Sequence, residues 1–120
     1  MNLSLTSHDS PQVDVRNVAL AHIINMTNPK AAGQRTLQVS GMISPQLVIN
    51  IIRKHFPELK DRVMEGEPAQ ILPKGVHPTG WDTRKSTETL GAKEWKYIGL
   101  EESVVDTVKS LLEHEKEWQT

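Results

Sequence analysis

VDVRNVALAHIINM, residues 13–26, opens as an apolar-polar alternation and then changes period. From Val15 onward, Val15, Val18, Ala19, His22, Ile23 and Met26 recur at i, i+3, i+4, i+7, i+8 and i+11, the spacing of one face of an α-helix expected to point inward. Asp14 stands at the N-cap position, where a carboxylate accepts from the unpaired N–H groups of the first turn. A strand-like entry, an acidic cap and a helix together read as a βα junction, which in α/β folds carries ligand-facing loops. Arg16 is the cation at that junction, and it suits either a ligand phosphate or carboxylate or an ion pair with Asp14.

Working outward, the helix is expected to stop near Asn28 and Pro29, because proline lacks an N–H and disfavours helical geometry in the residue before it. A turn over residues 30–33 leads to QRTLQVS, residues 34–40, where Leu37 and Val39 alternate with Thr36 and Gln38 as in a strand ending at Gly41. Ser44 and Pro45 mark a second helix start, with Leu47, Val48, Ile51, Ile52, His55, Phe56 and Leu59 in register and Asn50, Arg53 and Lys54 opposite. Pro57 should end it near Phe56.

Residues 60–80 hold Pro68, Pro73 and Pro78 with Gly66, Gly75 and Gly80, and show no period, so a long irregular connection is expected. Asp82 is expected to cap a short helix that reaches Leu90 and closes at Gly91. Trp95 to Ile98 reads as a brief extended piece. Leu100 to Trp118 reads as the last helix, with Val104, Val108, Leu111, Leu112 and Trp118 inward. Residues 1–12 are polar and without period, a flexible leader, and residues 13–120 form the ordered region. A lone strand at 34–40 needs backbone partners that this chain does not supply.

The bulk properties remove several classes of function. With 120 residues, one core is expected. Lys and Arg number 14 against 15 Asp and Glu, a net charge of -1, so no general field draws nucleic acid or anionic lipid, and neither partner is expected. Cysteine is absent, which excludes disulfides, thiolate zinc sites and a cysteine nucleophile. No signal-like leader and no apolar run of membrane-spanning length occur, so a soluble, cytoplasmic protein is expected. Gly33, Gly41, Gly66, Gly75, Gly80, Gly91 and Gly99 contain no G-x-G pair that would let the backbone approach a phosphate. The histidines at 8, 22, 55, 77 and 114 form no metal-ligand spacing, and His22 and His55 read as core or boundary residues. Trp81, Trp95 and Trp118 read as helix-end anchors, and Glu101, Glu102, Glu113, Glu115 and Glu117 as solvated charge.

A family pattern runs through these landmarks. Val13-Asp14-Val15-Arg16-Asn17-Val18-Ala19-Leu20-Ala21-His22 resembles the VDVRDVAxAH segment of extended short-chain dehydrogenases/reductases, in particular fungal NADPH-dependent aldehyde and ketone reductases of the methylglyoxal reductase and dihydroflavonol reductase type. Ala32-Gly33-Gln34-Arg35, Phe56-Pro57-Glu58-Leu59, Trp81-Asp82-Thr83-Arg84-Lys85-Ser86 with Leu90-Gly91, and Leu100-Glu101-Glu102-Ser103-Val104-Val105-Asp106-Thr107-Val108 follow in the family's order. The resemblance is to the C-terminal, substrate-side part of that family. It implies an α/β fragment of an extended Rossmann-type reductase, with about four helices, one or two short strands and no complete sheet.

The resemblance also implies that residues 35–39 join a Rossmann sheet, that the long connection forms part of a substrate lid, and that Val13, Asp14 and Arg16 lie on the substrate side. The family's Gly-rich loop is missing, and its Tyr-x-x-x-Lys pair is replaced by Tyr97 and Glu101; Asn17 stands where the family has Asp. No catalytic, cofactor-binding or metal-binding residue is therefore expected, although NADP(H) is implied for complete relatives. Two functions follow as expectations. One is a truncated carbonyl reductase region without oxidoreductase activity of its own. The other is a stand-alone interaction module that pairs with itself or with a full-length reductase through the unpaired strand 34–40.

Overall fold

The computed structural model describes residues 10–77, 80–91 and 93–119. Among them, the order is β1 (Ser10–Gln12), α1 (Val15–Thr27), β2 (Gly41–Ile43), α2 (Pro45–His55), α3 (Arg84–Thr89) and α4 (Leu100–Trp118), with short 3-10 turns at Pro29–Ala31 and Pro57–Leu59. β1 and β2 pair in a two-stranded sheet. Ser10–Gln12, inside the stretch expected to be a leader, is thus a strand; residues 1–9 of that stretch lie outside the described residues. The chain divides into two compact units, one of Met1–Ser10, Met42–Pro78 and Glu101–Thr120, the other of Pro11–Gly41 and Thr79–Leu100.

In the second unit, α1 starts where Asp14 caps it and ends at Asn28, whose side chain accepts from the Lys30 N–H and whose Nδ2 donates to the Thr89 carbonyl at 2.6 Å. The helix is nevertheless turned away from the expected face. Val15, Ile23 and Met26 are 77, 64 and 83% exposed, while Asn17 and Ala21 are buried. Ala19 and His22 are exposed as well. The reason lies across the unit. Asn17 Nδ2 donates to the Lys96 carbonyl at 3.0 Å and its Oδ1 accepts from the Ile98 N–H at 2.9 Å, so one carboxamide pairs with two alternate residues of an extended segment as a neighbouring strand would. Ala21 packs with Leu90 and Trp95, flanked by Ile24 and Tyr97.

Residues 34–40 form no strand, contrary to expectation. Among the described residues the backbone of 35–39 makes no hydrogen bond, because no sheet lies beside it; the paired segment is β2, immediately downstream. The alternation survives with its sides exchanged. Thr36 Oγ1 accepts from Asn25 Nδ2 at 3.3 Å and Gln38 Oε1 from the Tyr97 hydroxyl at 3.1 Å, whereas Leu37 is 42% exposed. α3 begins at Arg84 with Thr83 at the N-cap instead of Asp82, which pairs with Arg84, and Gly91 takes the left-handed φ of 95° that closes it.

In the first unit, Ser44 caps α2 and Pro45 occupies its first turn as expected. The residues opposite its apolar stripe are used to hold the irregular connection. Gln46, buried within α2, donates through Nε2 to the Glu65 carbonyl at 2.9 Å and accepts at Oε1 from the Glu67 N–H at 3.0 Å. Asn50 donates to the Pro68 carbonyl, and Arg53 to those of Lys60 and Val63. These residues are spaced at i, i+4 and i+7, so one helical stripe fastens a segment that has no secondary structure of its own. In α4, Val104 is buried, but Leu111 and Trp118 are 54 and 75% exposed, against the inward placement expected for both. The Trp118 ring stacks on His114 instead.

Candidate functional site

The start of α1 is the junction singled out by the sequence, and its geometry is a closed clamp. Asp14 is 4% exposed; its Oδ1 accepts from the Arg16 N–H at 2.8 Å and from Arg16 Nε at 2.9 Å, and its Oδ2 meets Arg16 Nη2 at 2.8 Å. One carboxylate therefore caps the helix and takes a two-pronged guanidinium contact from the residue two places on. Val13 lies half-buried just ahead. Arg16 thus forms the ion pair with Asp14 that the sequence offered as one of its roles. The same Asp-x-Arg device recurs ahead of α3, where Arg84 Nη2 reaches Asp82 Oδ2 at 2.6 Å and holds the Asp82 carboxyl down to about 2.

Some charged groups outside this junction pair with one another. Within the first unit, Lys54 Nζ and His55 Nε2 meet Glu101 Oε1 at 2.7 and 2.6 Å, and Lys54, followed by His55, holds the Glu101 carboxyl down to about 2. Arg62 spans Glu115 with two contacts and lowers its pKa. Since the folded pKa of Glu101 lies below the ~4.3 of an unfolded glutamate, its contribution is present above that value and disappears as pH falls toward about 2. Glu101 is 52% exposed, so the effect is screened. Comparison of wild type with Glu101→Gln by thermal unfolding should show a small gap near neutral pH that closes near pH 2 and also shrinks in ~1 M salt. A gap unchanged by acid would contradict the pairing.

Neither His22 nor His55 is a core histidine: His22 is exposed and contacts the Val18 carbonyl, and His55 faces Glu101. Tyr97 gives its hydroxyl to Gln38 and its ring edge-on to Trp95. Among the described residues no group of His, Asp and Glu is placed to hold a metal ion, and no helix is long and apolar enough to cross a membrane. Open grooves occur beside α1, including one of about 420 Å³ lined by Ala21, His22, Asn25, Met26, Thr36 and Gln38. The first unit carries one of about 320 Å³ that includes Ile52, Val63, Val108, Leu112 and Trp118. Neither brings together a tyrosine and a lysine. The buried carboxamides of Asn17 and Gln46 were missed in the sequence reading, although a polar residue in register with Ala21 and Ile24 already marks a second stripe on α1.

No protein-family model matches the chain. Ketoreductase azaE of Aspergillus niger is 38% identical over 101 residues, which is 84% of this chain and 28% of that protein. The crystal structure of Gre2 from Candida albicans is 35% identical, with a TM-score of 0.77, and the match covers 93% of this chain and 33% of that one. The yeast methylglyoxal/isovaleraldehyde reductase Gre2 complexed with NADPH gives a TM-score of 0.77 at 28% identity, over 91% of this chain and 35% of its own.

The similarity is therefore to a class of reductases with an α/β fold, among them proteins described as NADPH-dependent. Within it, the chain belongs with the methylglyoxal reductases and ketoreductases of the short-chain dehydrogenase/reductase family, as a C-terminal portion of that family. It spans about 30% of the length of the relatives it matches.

Proposed function

We propose that this chain is the substrate-side portion of an NAD(P)H-dependent carbonyl reductase and that it has no oxidoreductase activity alone. The observation that carries this reading is the unpaired backbone of residues 35–39, an extended segment made to join a Rossmann-type sheet whose other strands the described residues do not contain. In this reading the opening junction with Val13, Asp14 and Arg16 belongs to the substrate side, and the segment that Gln46, Asn50 and Arg53 fasten serves as part of the lid. A chain without cysteine suits a cytoplasmic setting.

The residues present do not fit NADPH. No closely spaced glycines open a helix, and the N-terminus of α1 is already occupied by the Asp14 carboxylate, which repels a phosphate. Tyr97, the only tyrosine, is followed four residues later by Glu101, so no lysine one helical turn on lowers its phenol pKa. The purified chain, mixed with NADPH and an aldehyde, should leave cofactor absorbance unchanged. Turnover above a buffer control would overturn the proposal.

A stand-alone interaction module is the second reading, favoured by the outward apolar residues of α1. Hydrogen exchange separates the two. Rapid exchange over residues 34–40 supports a portion of a larger sheet, and cooperative protection there supports an independent module.

A further inference from the structure

The irregular connection after α2 is held along only part of its length. Near its start, Arg53 donates to the Lys60 and Val63 carbonyls, and Arg62 makes two contacts to Glu115 of α4. Asn50 then donates to the Pro68 carbonyl. Gln46 closes the stretch between them. Gly66 takes a left-handed φ of 64°, and the Glu65 carbonyl and the Glu67 N–H on either side of it meet the same carboxamide. That side chain belongs to a residue only 5% exposed, and its Nε2 also donates to Asn50 Oδ1 at 2.8 Å. Both polar atoms of Gln46 are therefore engaged.

Beyond Pro68 this fastening stops. Among the described residues, 69–77 take part in two backbone hydrogen bonds, from the Gln70 N–H to the Glu67 carbonyl and from the Val76 N–H to the Pro73 carbonyl. Each closes a turn within the connection itself, the second through Gly75 at φ 80°. No side-chain hydrogen bond or ion pair reaches these residues. Ile71 is 41% exposed, and Leu72, Pro73 and Val76 are half-buried. Apolar contact has no fixed direction, so it resists sliding far less than a set of hydrogen bonds does.

We infer that the connection is a two-part device: a fixed strap over residues 60–68, latched by Gln46, and a free tip over residues 69–77 that swings about Pro68. The inference rests on the lid reading under the proposed function and names which part of that lid moves. Opening the strap breaks the bonds of Gln46, Asn50, Arg53 and Arg62, whereas opening the tip breaks none of them.

Limited proteolysis of the full chain tests this, with trypsin cleavage after Arg62 in the strap set against cleavage after Lys74 in the tip. Each rate is divided by the rate at the same bond in a synthetic peptide of residues 56–78. Cleavage of a folded chain follows the population of its open form, so the scaled rate after Lys74 is expected to exceed that after Arg62 at least about thirtyfold. Gln46→Leu should raise the rate after Arg62 about tenfold, leave that after Lys74 within about twofold, and speed exchange of the Glu67 amide seen by NMR. If Gln46→Leu fails to fold by circular dichroism, Asn50→Ala takes its place. It removes the Pro68 bond and one Gln46 contact at a half-buried site, and should raise the rate after Arg62 about threefold.

Equal scaled rates after Arg62 and Lys74 in the wild type overturn the inference, because the connection then opens as one piece. So does a variant that speeds both bonds alike, or neither. Turnover of NADPH by the purified chain would overturn the proposed function and leave the order of cleavage unchanged, so the two failures are told apart.

Discussion

Asn17→Leu is expected to lower the stability of the second unit by about 2 kcal/mol, because it leaves the part-buried Ile98 N–H and Lys96 carbonyl without their side-chain partner. Loss of the carboxamide removes both bonds, and leucine fills the space without replacing either. Asn17→Asp separates the two halves. A carboxylate still accepts from Ile98 but faces the Lys96 carbonyl with negative charge at a site only 4% exposed. Burial and that carbonyl raise its folded pKa above the ~3.9 of an unfolded aspartate.

The protonated acid can donate to Lys96 as the amide does. Asn17→Asp should therefore approach wild-type stability below the unfolded pKa and lose it as pH rises through the folded one. Urea unfolding followed by tryptophan fluorescence from pH 3 to 8 checks both claims. A pH-independent gap for Asn17→Asp, or an unchanged midpoint for Asn17→Leu, would remove Asn17 as the reason for the orientation of α1.

Trp95→Ala is expected to cost about 3 to 5 kcal/mol, a large share of the about 5 to 15 kcal/mol that holds a domain folded. Trp95 is 7% exposed and forms the core of that unit with Ala21 and Leu90, with Tyr97 set edge-on at 5.6 Å. No large side chain among the described residues is wholly buried, so nothing nearby can take its place. Among the described residues its indole N–H has no partner, and Trp95→Phe removes that donor while keeping most of the apolar volume. The phenylalanine variant should therefore lose much less than the alanine variant. Circular dichroism melts of the two separate the outcomes, and equal losses would mean that Trp95 acts by something other than packing.

The exposed face of α1 and the open edge at 35–39 bear on function together. Ile23 and Met26 stand in water, and among the described residues the extended backbone of 35–39 has no hydrogen-bond partner.

The sequence by itself determined several of the helix boundaries. Asp14 at α1, Ser44 and Pro45 at α2, Asn28 and Pro29 at the end of α1, and Gly91 after α3 were all legible, because capping and chain reversal depend on groups within a turn of each other. The family was legible too, through five segments in order. Tertiary structure alone decided which way those elements face. Around α1 apolar residues occur on nearly every side, so their spacing could not choose between Val15, Ile23 and Met26 on one face and Ala21 and Ile24 on the other. The choice was made by Lys96 and Ile98, about eighty residues away, whose polar backbone groups only a buried Asn17 satisfies. Residues 34–40 kept the sequence of a strand without its pairing, since a strand exists only when a neighbour supplies its hydrogen bonds.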